Sequence, residues 1–460
     1  MKRLPLVTLA AGTALGLALG VAGTVAYDAP RDGGDDGSPT GEVAAPRVPT
    51  SVILLIGDGM DDSMITAARN YSVGAAGRLA LDELPATGAM TTYGLLTGPG
   101  PDHPIAYVSD SAATASGFST GRKTVDGRIS QGPSSAQDVP GEDHETVLEA
   151  FARLGRPTGN VSTADITDAT PAAAAAHVNA RSCQDPTTMD ACPSARKSAG
   201  GRGSIAEQLV DNEVDVLLGG GRERWDRLLE DGSQTLLDYA TTTYGYRTLG
   251  TADDLDAVDD LDDGPVLGLF APNHLTRSYA PLVAARGGAT TPDGTCTAQD
   301  RGSEPTLQQM TAKAIELLDN PDGFFLQVEG ASVDKAEHER DICGAIGELE
   351  ELDQAVEVAL AHQRAHPDTL VIVTGDHAHS TQIVTNDAGG LRTATVVTAD
   401  GVPMTVAYSS SEGGDPRRSS HTGTQIRVAA VGPQADRVTG VIDQTDLFAL
   451  MTSGLDTGEE

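Results

Sequence analysis

The chain has 460 residues and carries a formal net charge of −35, with 66 acidic against 31 basic side chains. Such a surface repels nucleic acid and anionic membranes, so neither is an expected partner. It repels small anions as well, unless cations bound to the protein reverse the sign locally.

In chain order, Met1-Lys2-Arg3 precedes an uncharged apolar stretch from Leu4 to Val25, with small residues around Thr24-Val25-Ala26. A basic start, an apolar middle and a small-residue end predict a signal peptide over 1–26 and an exported protein; an uncleaved anchor is the alternative reading. Residues 27–49, rich in Gly, Pro and Asp without periodicity, read as a solvated linker. No second apolar stretch of spanning length follows, so the mature protein is expected to lack a transmembrane domain. From 50 to 455 no linker or composition shift interrupts the chain, which predicts one large domain; 456–460 is an acidic tail.

Three apolar runs inside that domain end in metal-ligand residue types. Val52 to Gly57 leads into Asp58. Phe324 to Val328 leads into Glu329, Asp334 and His338. Leu370 to Gly375 leads into Asp376, His377 and His379. Short, β-branched or aromatic runs without polar alternation fit strands buried on both faces of a parallel sheet. Ligand crevices of such sheets lie beyond the carboxyl ends of the strands, so the three runs aim their acids and imidazoles at one place. The fold class expected is therefore α/β, with a large, mostly parallel central sheet flanked by helices on both faces.

Two further segments matter. Asp110-Ser111 precedes Ala112-Ala113-Thr114-Ala115, where a helix start would put the serine hydroxyl among free N–H groups that favour an anion; a plain helix cap at Asp110 is the competing reading. Thr393 to Thr398, Asp400-Gly401 and Val402 to Ala407 read as a β-hairpin, a small excursion at the rim spanning 380–420. Beyond it, His421 supplies a third imidazole to a site that otherwise has two; a surface histidine is the alternative. Carboxylates and imidazoles without cysteine suit Zn²⁺, Mg²⁺ or Mn²⁺. Asp334 and His338 share one face if their segment is helical.

Asp58-Gly59-Met60, Asp110-Ser111-Ala112, Asp168-Ala169-Thr170-Pro171, Val328-Glu329-Gly330-Ala331, Asp334-Lys335 with His338, Asp376-His377-Ala378-His379 and His421-Thr422-Gly423 together resemble the alkaline phosphatases, in order and over nearly the whole of 50–450. The resemblance is strongest to the secreted bacterial branch that includes the Escherichia coli enzyme. It implies a phosphomonoesterase, usually homodimeric, with two zinc ions, one magnesium ion and a phosphoserine intermediate. It implies Ser111 as nucleophile and Arg181 as the phosphate clamp. One zinc would be held by Asp334, His338 and His421, the other by Asp58, Asp376 and His377. Magnesium would take Asp58, Asp168, Thr170 and Glu329. Asp110, Lys335 and His379 would stand behind these; Lys335 either reaches phosphate through water or pairs with Asp168. The four cysteines allow three pairings, and the resemblance favours Cys183 with Cys192 and Cys296 with Cys343.

The chain departs from the family at Asp61, where glycine is usual; if that turn needs positive φ, aspartate fits it less easily. Related bimetal enzymes are weaker readings: the serine segment lacks the pattern of a sulfatase, and a diesterase would usually lack Asp168, Thr170 and Glu329. An inactive secreted binding protein is opposed by the intact nucleophile, clamp and ligands.

Overall fold

The computed structural model describes residues 48–386 and 390–455. The expected signal peptide, all but the last two residues of the linker, and the acidic tail lie outside the described residues. Among the described residues no helix is long and apolar enough to cross a membrane.

The three apolar runs are strands at the centre of a ten-stranded sheet. Thr369–Gly375 and Phe325–Gly330 flank Ser51–Gly57, both parallel to it. Thr158–Asp165, Val216–Gly220, Val266–Leu269 and Arg247–Leu249 continue the parallel array on one side. On the other side lie Ile426–Val431, Ala86–Thr91 and Gly440–Asp443; Ile426–Val431 alone runs against the rest. The central strand shows why the runs are uninterrupted by polar residues. Its Ile53 and Leu55 enter one buried apolar cluster, and Val52, Leu54 and Ile56 enter another on the opposite face. Each such side chain contributes about 1.5–3 kcal/mol by leaving water.

Helices cover both faces. Ile342–Ala365 packs Ile346, Leu349, Leu352 and Val356 with Leu307, Met310 and Ala314 of the helix Leu307–Leu318. Ser111–Thr120 and Ala169–Ala175 belong to the other layer, where small side chains let backbones approach closely.

The expected hairpin forms from Arg392–Val397 and Pro403–Tyr408, paired antiparallel, with Gly401 at φ +75° in its turn. Thr381–Val384 extends this small sheet on the Pro403–Tyr408 edge.

Register decides where the site falls. Gly57 is the partner of both Gly375 and Gly330, so the three strands end at one level. The chain leaves the first strand through Gly59, at φ +75°, where a Cβ would sit 3.0 Å from the Asp334 backbone. Asp334 N–H donates to the Asp58 carbonyl at 2.8 Å, which ties the two exits together.

Candidate active site

Beyond the level strand ends, ligand atoms converge from five segments. Asp334 and His338 sit one turn apart on the helix Ser332–Glu339. Asp334 Oδ1 lies 3.4 Å from His338 Nε2, 3.2 Å from His421 Nε2 and 3.4 Å from His379 Nε2. The His338 and His421 Nε2 atoms are 3.1 Å apart. The other nitrogen of each ring is committed: His338 Nδ1 donates to the Ser419 carbonyl at 2.7 Å, and His421 Nδ1 to the Ser109 carbonyl at 2.9 Å. These carbonyls fix the tautomers so that Nε2 lone pairs face one point, the arrangement a metal-ligating histidine needs.

A second group adjoins the first. His377 Nε2 is 3.4 Å from Asp58 Oδ1, 3.3 Å from Asp376 Oδ2 and 3.2 Å from Ser111 Oγ. Ser111 Oγ also donates to the Asp58 carboxylate at 3.3 and 3.4 Å. Metal–ligand bonds of about 2.0–2.1 Å give tetrahedral edges of about 3.3–3.4 Å, the spacing found in both groups. Carboxylate oxygens and imidazole lone pairs crowd together in both groups, and Asp334 Oδ1 is buried without a hydrogen-bond partner; His379, whose Nδ1 accepts from Ser380 N–H, turns its Nε2–H toward that oxygen. Donor set and spacing together fit a tetrahedrally bound divalent cation.

The charge balance agrees. Burial, and then the neighbouring Asp376 and Asp334 charges, push the Asp58 carboxyl well above its usual range. Burial also raises Asp376, although the Gly59 N–H holds its Oδ1 at 2.9 Å. Burial, and then the nearby His421, drive His377 far down, which keeps its ring neutral and able to ligate. His421 behaves oppositely: burial opposes its charge, but Asp334 overcomes that and lifts it to about 9. In the metal-free protein a proton on His421 is thus the positive charge that Asp334 demands. A bound metal would displace it.

Ser111 begins the helix Ser111–Thr120, and the Asp110 carboxylate caps that helix by accepting from Ala113 N–H at 3.0 Å. Asp110 does more than cap. Its Oδ2 lies 3.3 Å from Arg181 Nη1 and it also accepts from Gly127 N–H. Arg181 Nη2 is 2.9 Å from Asp168 Oδ1, and Lys335 Nζ is 2.9 Å from Asp168 Oδ2. Of the two readings of Lys335, the structure has the ion pair. Burial would raise Asp168, but Lys335 and then Arg181 overcome it and hold the carboxyl well below its ordinary range. Arg181 keeps about a third of its side chain exposed, leaving the fork accessible to an incoming anion.

The candidate magnesium residues are less gathered. Both Asp168 oxygens face cations, and neither Asp168 nor Glu329 joins a convergent His/Asp/Glu group among the described residues. Glu329 is buried against the Ser162 hydroxyl; burial, opposed by Lys335, lifts it to about 7. Thr170 Oγ1 is buried with no hydrogen-bond partner. Oxygen donors of this kind suit a hard cation.

One contributor, Thr114, escaped the sequence reading. Thr114 Oγ1 reaches Asp376 Oδ2 at 3.2 Å, a contact that its position one turn after Ser111 makes possible. His379 faces the same Asp334 oxygen as the two imidazoles singled out as ligands. Asp61 has φ −99° and ψ 173°, so it needs no positive φ; Gly59 carries that demand. Asp61 instead caps the helix Asp62–Ser72 through Met64 N–H and accepts from His379 N–H. The cysteines form two disulfides, Cys183–Cys192 and Cys296–Cys343, with S–S distances of 2.08 and 2.04 Å.

A family model described as alkaline phosphatase matches residues 50–414. The chain is 46% identical over 418 residues to the alkaline phosphatase of Escherichia coli strain K12, covering 88% of this chain and 86% of that one. It is 45% identical over 430 residues to the streptomycin-6-phosphate phosphatase of Streptomyces griseus, covering 90% and 92%. The fold is similar to that of the alkaline phosphatase of Thermus thermophilus, with a TM-score of 0.65 at 21% identity over 91% of this chain and 95% of that one.

Proposed function

The chain belongs to the alkaline phosphatase family and hydrolyses phosphate monoesters, and from that premise we propose that it works through a covalent phosphoserine on Ser111 with two zinc ions and one magnesium ion. The observation that carries this reading is the position of Ser111 Oγ. It stands 3.2–3.4 Å from His377 and Asp58, completing a four-cornered group with Asp376.

Asp334, His338 and His421 would hold one zinc, and Asp58, Asp376 and His377 the other; Asp58, Asp168, Thr170 and Glu329 would serve magnesium. Bound there, the metals would supply Lewis-acid charge that lowers the serine pKa and stabilises the attacking and leaving oxygens. The chain's own groups do the positioning. Ser111 Oγ, with its proton directed at Asp58, forms the bond to phosphorus as the ester P–O bond breaks and the alcohol leaves with a proton. Water then breaks the Oγ–P bond, returning the serine hydroxyl and releasing inorganic phosphate. Arg181, spread between Asp110 and Asp168, offers phosphate oxygens a planar pair of donors. Asp110 and Lys335 hold that fork and its anchor in place.

The same reading takes 50–455 as one catalytic domain, 380–420 as its rim, 1–26 as an export signal to a periplasmic or extracellular location, and the working form as a homodimer. Light scattering on the purified protein tests the last point.

The decisive experiment is acid quenching during turnover of ³²P-labelled monoester, followed by peptide mapping. Label on the Ser111 peptide is the expected result; label on none, with turnover intact, would remove the covalent step. A second substrate class is worth the same assay. The Streptomyces griseus relative is named for streptomycin 6-phosphate, and a chain of net charge −35 favours cationic leaving groups. A kcat/KM at least as high for that ester as for p-nitrophenyl phosphate would support it.

A further inference from the structure

At the opposite end of the same sheet lies a second cluster of ligand side chains. Asp319, His362 and His366 bring a carboxylate oxygen and two ring nitrogens within 4.8 Å of one another. The histidines are four residues apart at the end of the helix Ile342–Ala365, where His366 N–H still donates to the His362 carbonyl at 2.8 Å. That spacing stacks their rings on one face. Their centroids are 4.3 Å apart and the planes differ by 6°. His362 is further positioned by an edge contact with Phe324 at 5.6 Å. Asp319 closes the helix Leu307–Leu318 and so arrives from a different element. A cavity of about 370 Å³ opens beside them, lined by Asp319, His366, Asn320, Asp368 and the Thr50-Ser51 backbone entry to the first strand.

From this convergence we propose that Asp319, His362 and His366 form a surface site for a divalent transition-metal ion, separate from the active site. Two imidazoles and one carboxylate select zinc or its neighbours over calcium and magnesium, which prefer all-oxygen shells. Three protein ligands leave at least one position open, and the adjoining cavity gives solvent or a small anion room to fill it. The ion would clasp the ends of two core helices together.

The strands themselves set the separation. His366 precedes Thr369–Gly375, whereas Asp376 follows it. Seven residues at about 3.3 Å each place the two metal regions about 20 Å apart. Loss of the clasp should therefore leave turnover untouched.

The test uses full-length enzyme already saturated with zinc and magnesium and still active on p-nitrophenyl phosphate. Titrating it with further zinc, and counting bound metal by atomic emission, should show one more equivalent than in the double variant H362Q/H366Q. Asp319 is exposed, so Asp319→Asn disturbs folding least; it should weaken that equivalent about tenfold or more. All variants should match wild type in kcat and KM, and only wild type should gain melting temperature from the added zinc. Equal zinc content in wild type and double variant would overturn the site, as would an Asp319→Asn protein that binds the extra ion unchanged. Neither result touches the assignment of the active site.

Discussion

Around Asp334 a buried carboxylate oxygen faces three imidazole nitrogens at 3.2–3.4 Å; around Asp168 both oxygens face permanent cations at 2.9 Å. The two clusters flank Ser111 yet treat buried charge in opposite ways. In the Asp58, Asp334 and Asp376 half, burial and then neighbouring carboxylate charges push the carboxyls at 58 and 376 upward, while His379 and His421 overcome burial and hold Asp334 down. The Asp168 half neutralises itself with Arg181 and Lys335. Without metal, the first half is therefore short of positive charge and the second is not. Zinc should stabilise the first half, whereas magnesium at Asp168 would have to compete with Arg181 and Lys335.

The largest effect should come at the junction. Ser111→Ala removes the oxygen proposed to attack phosphorus, and kcat/KM for p-nitrophenyl phosphate should fall on the order of 10⁴-fold or more. Metal content, measured by atomic emission, should stay at the wild-type value. A variant that keeps a tenth of wild-type turnover would move the nucleophile elsewhere.

The contrast itself is broken or kept by a stability measurement. Chelation should abolish activity and remove about 4 kcal/mol of stability for each ion held at a thousandfold excess over its Kd. Asp168→Asn should cost about 1–3 kcal/mol, because Lys335 loses its partner while Arg181 keeps Asp110, and with magnesium withheld it should cost the same with and without zinc. Urea melts of four samples decide it. If the Asp168→Asn penalty disappears on chelation, the two halves are one unit and the comparison fails.

Asp61 extends the imbalance of the metal-side half, since it is one more buried carboxylate there and helps to raise Glu337. Burial, opposed by the Met64 and His379 N–H groups, lifts Asp61 from 3.8 to about 6. Between those values the folded protein holds the extra proton, so stability falls as pH rises from about 4 to about 6. Asp61→Asn keeps the Met64 cap through Oδ1 but sets its amide donor against His379 N–H, a fixed loss, and it cannot ionise. Relative to Asp61→Asn, metal-free wild type should lose up to about 3 kcal/mol of stability as pH rises across that window. Parallel stability–pH curves would sink the assignment.

How much of this the sequence carries depends on what kind of interaction does the work. Asp58, Asp376 and Glu329 are readable because each follows an apolar run, and a parallel sheet sends such ends to one side. The level ending of the strands comes from their register, in which Gly57 pairs with both Gly330 and Gly375. The orientation of the imidazoles is not readable: it comes from main-chain carbonyls of Ser109 and Ser419, and every residue has a carbonyl. Asp61 could be noticed but not judged, because which residue of Asp58-Gly59-Met60-Asp61 takes the positive φ is settled by the close approach of Asp334 to Gly59. The reversed strand Ile426–Val431 is a short, mostly apolar run like its parallel neighbours, so its direction leaves no trace in sequence.

The smallest expected effect concerns the self-neutralised half. Arg181 is two residues from Cys183, whose bond to Cys192 closes a short loop behind the clamp, and Cys183 N–H donates to the Ala180 carbonyl at 3.0 Å. Asp110 and Asp168 already hold the guanidinium at 3.3 and 2.9 Å, so the disulfide can only refine the backbone from which Arg181 springs. Replacing both cysteines by serine should therefore raise KM about threefold and leave kcat nearly unchanged, because phosphate binding loosens while the reacting atoms near Ser111 stay in place. Arg181→Ala sets the scale, with a loss of about 10²-fold in kcat/KM. If the serine variant approaches that loss, the ion pairs do not hold the clamp without the loop, and the charge-balanced half is less self-sufficient than its contacts imply.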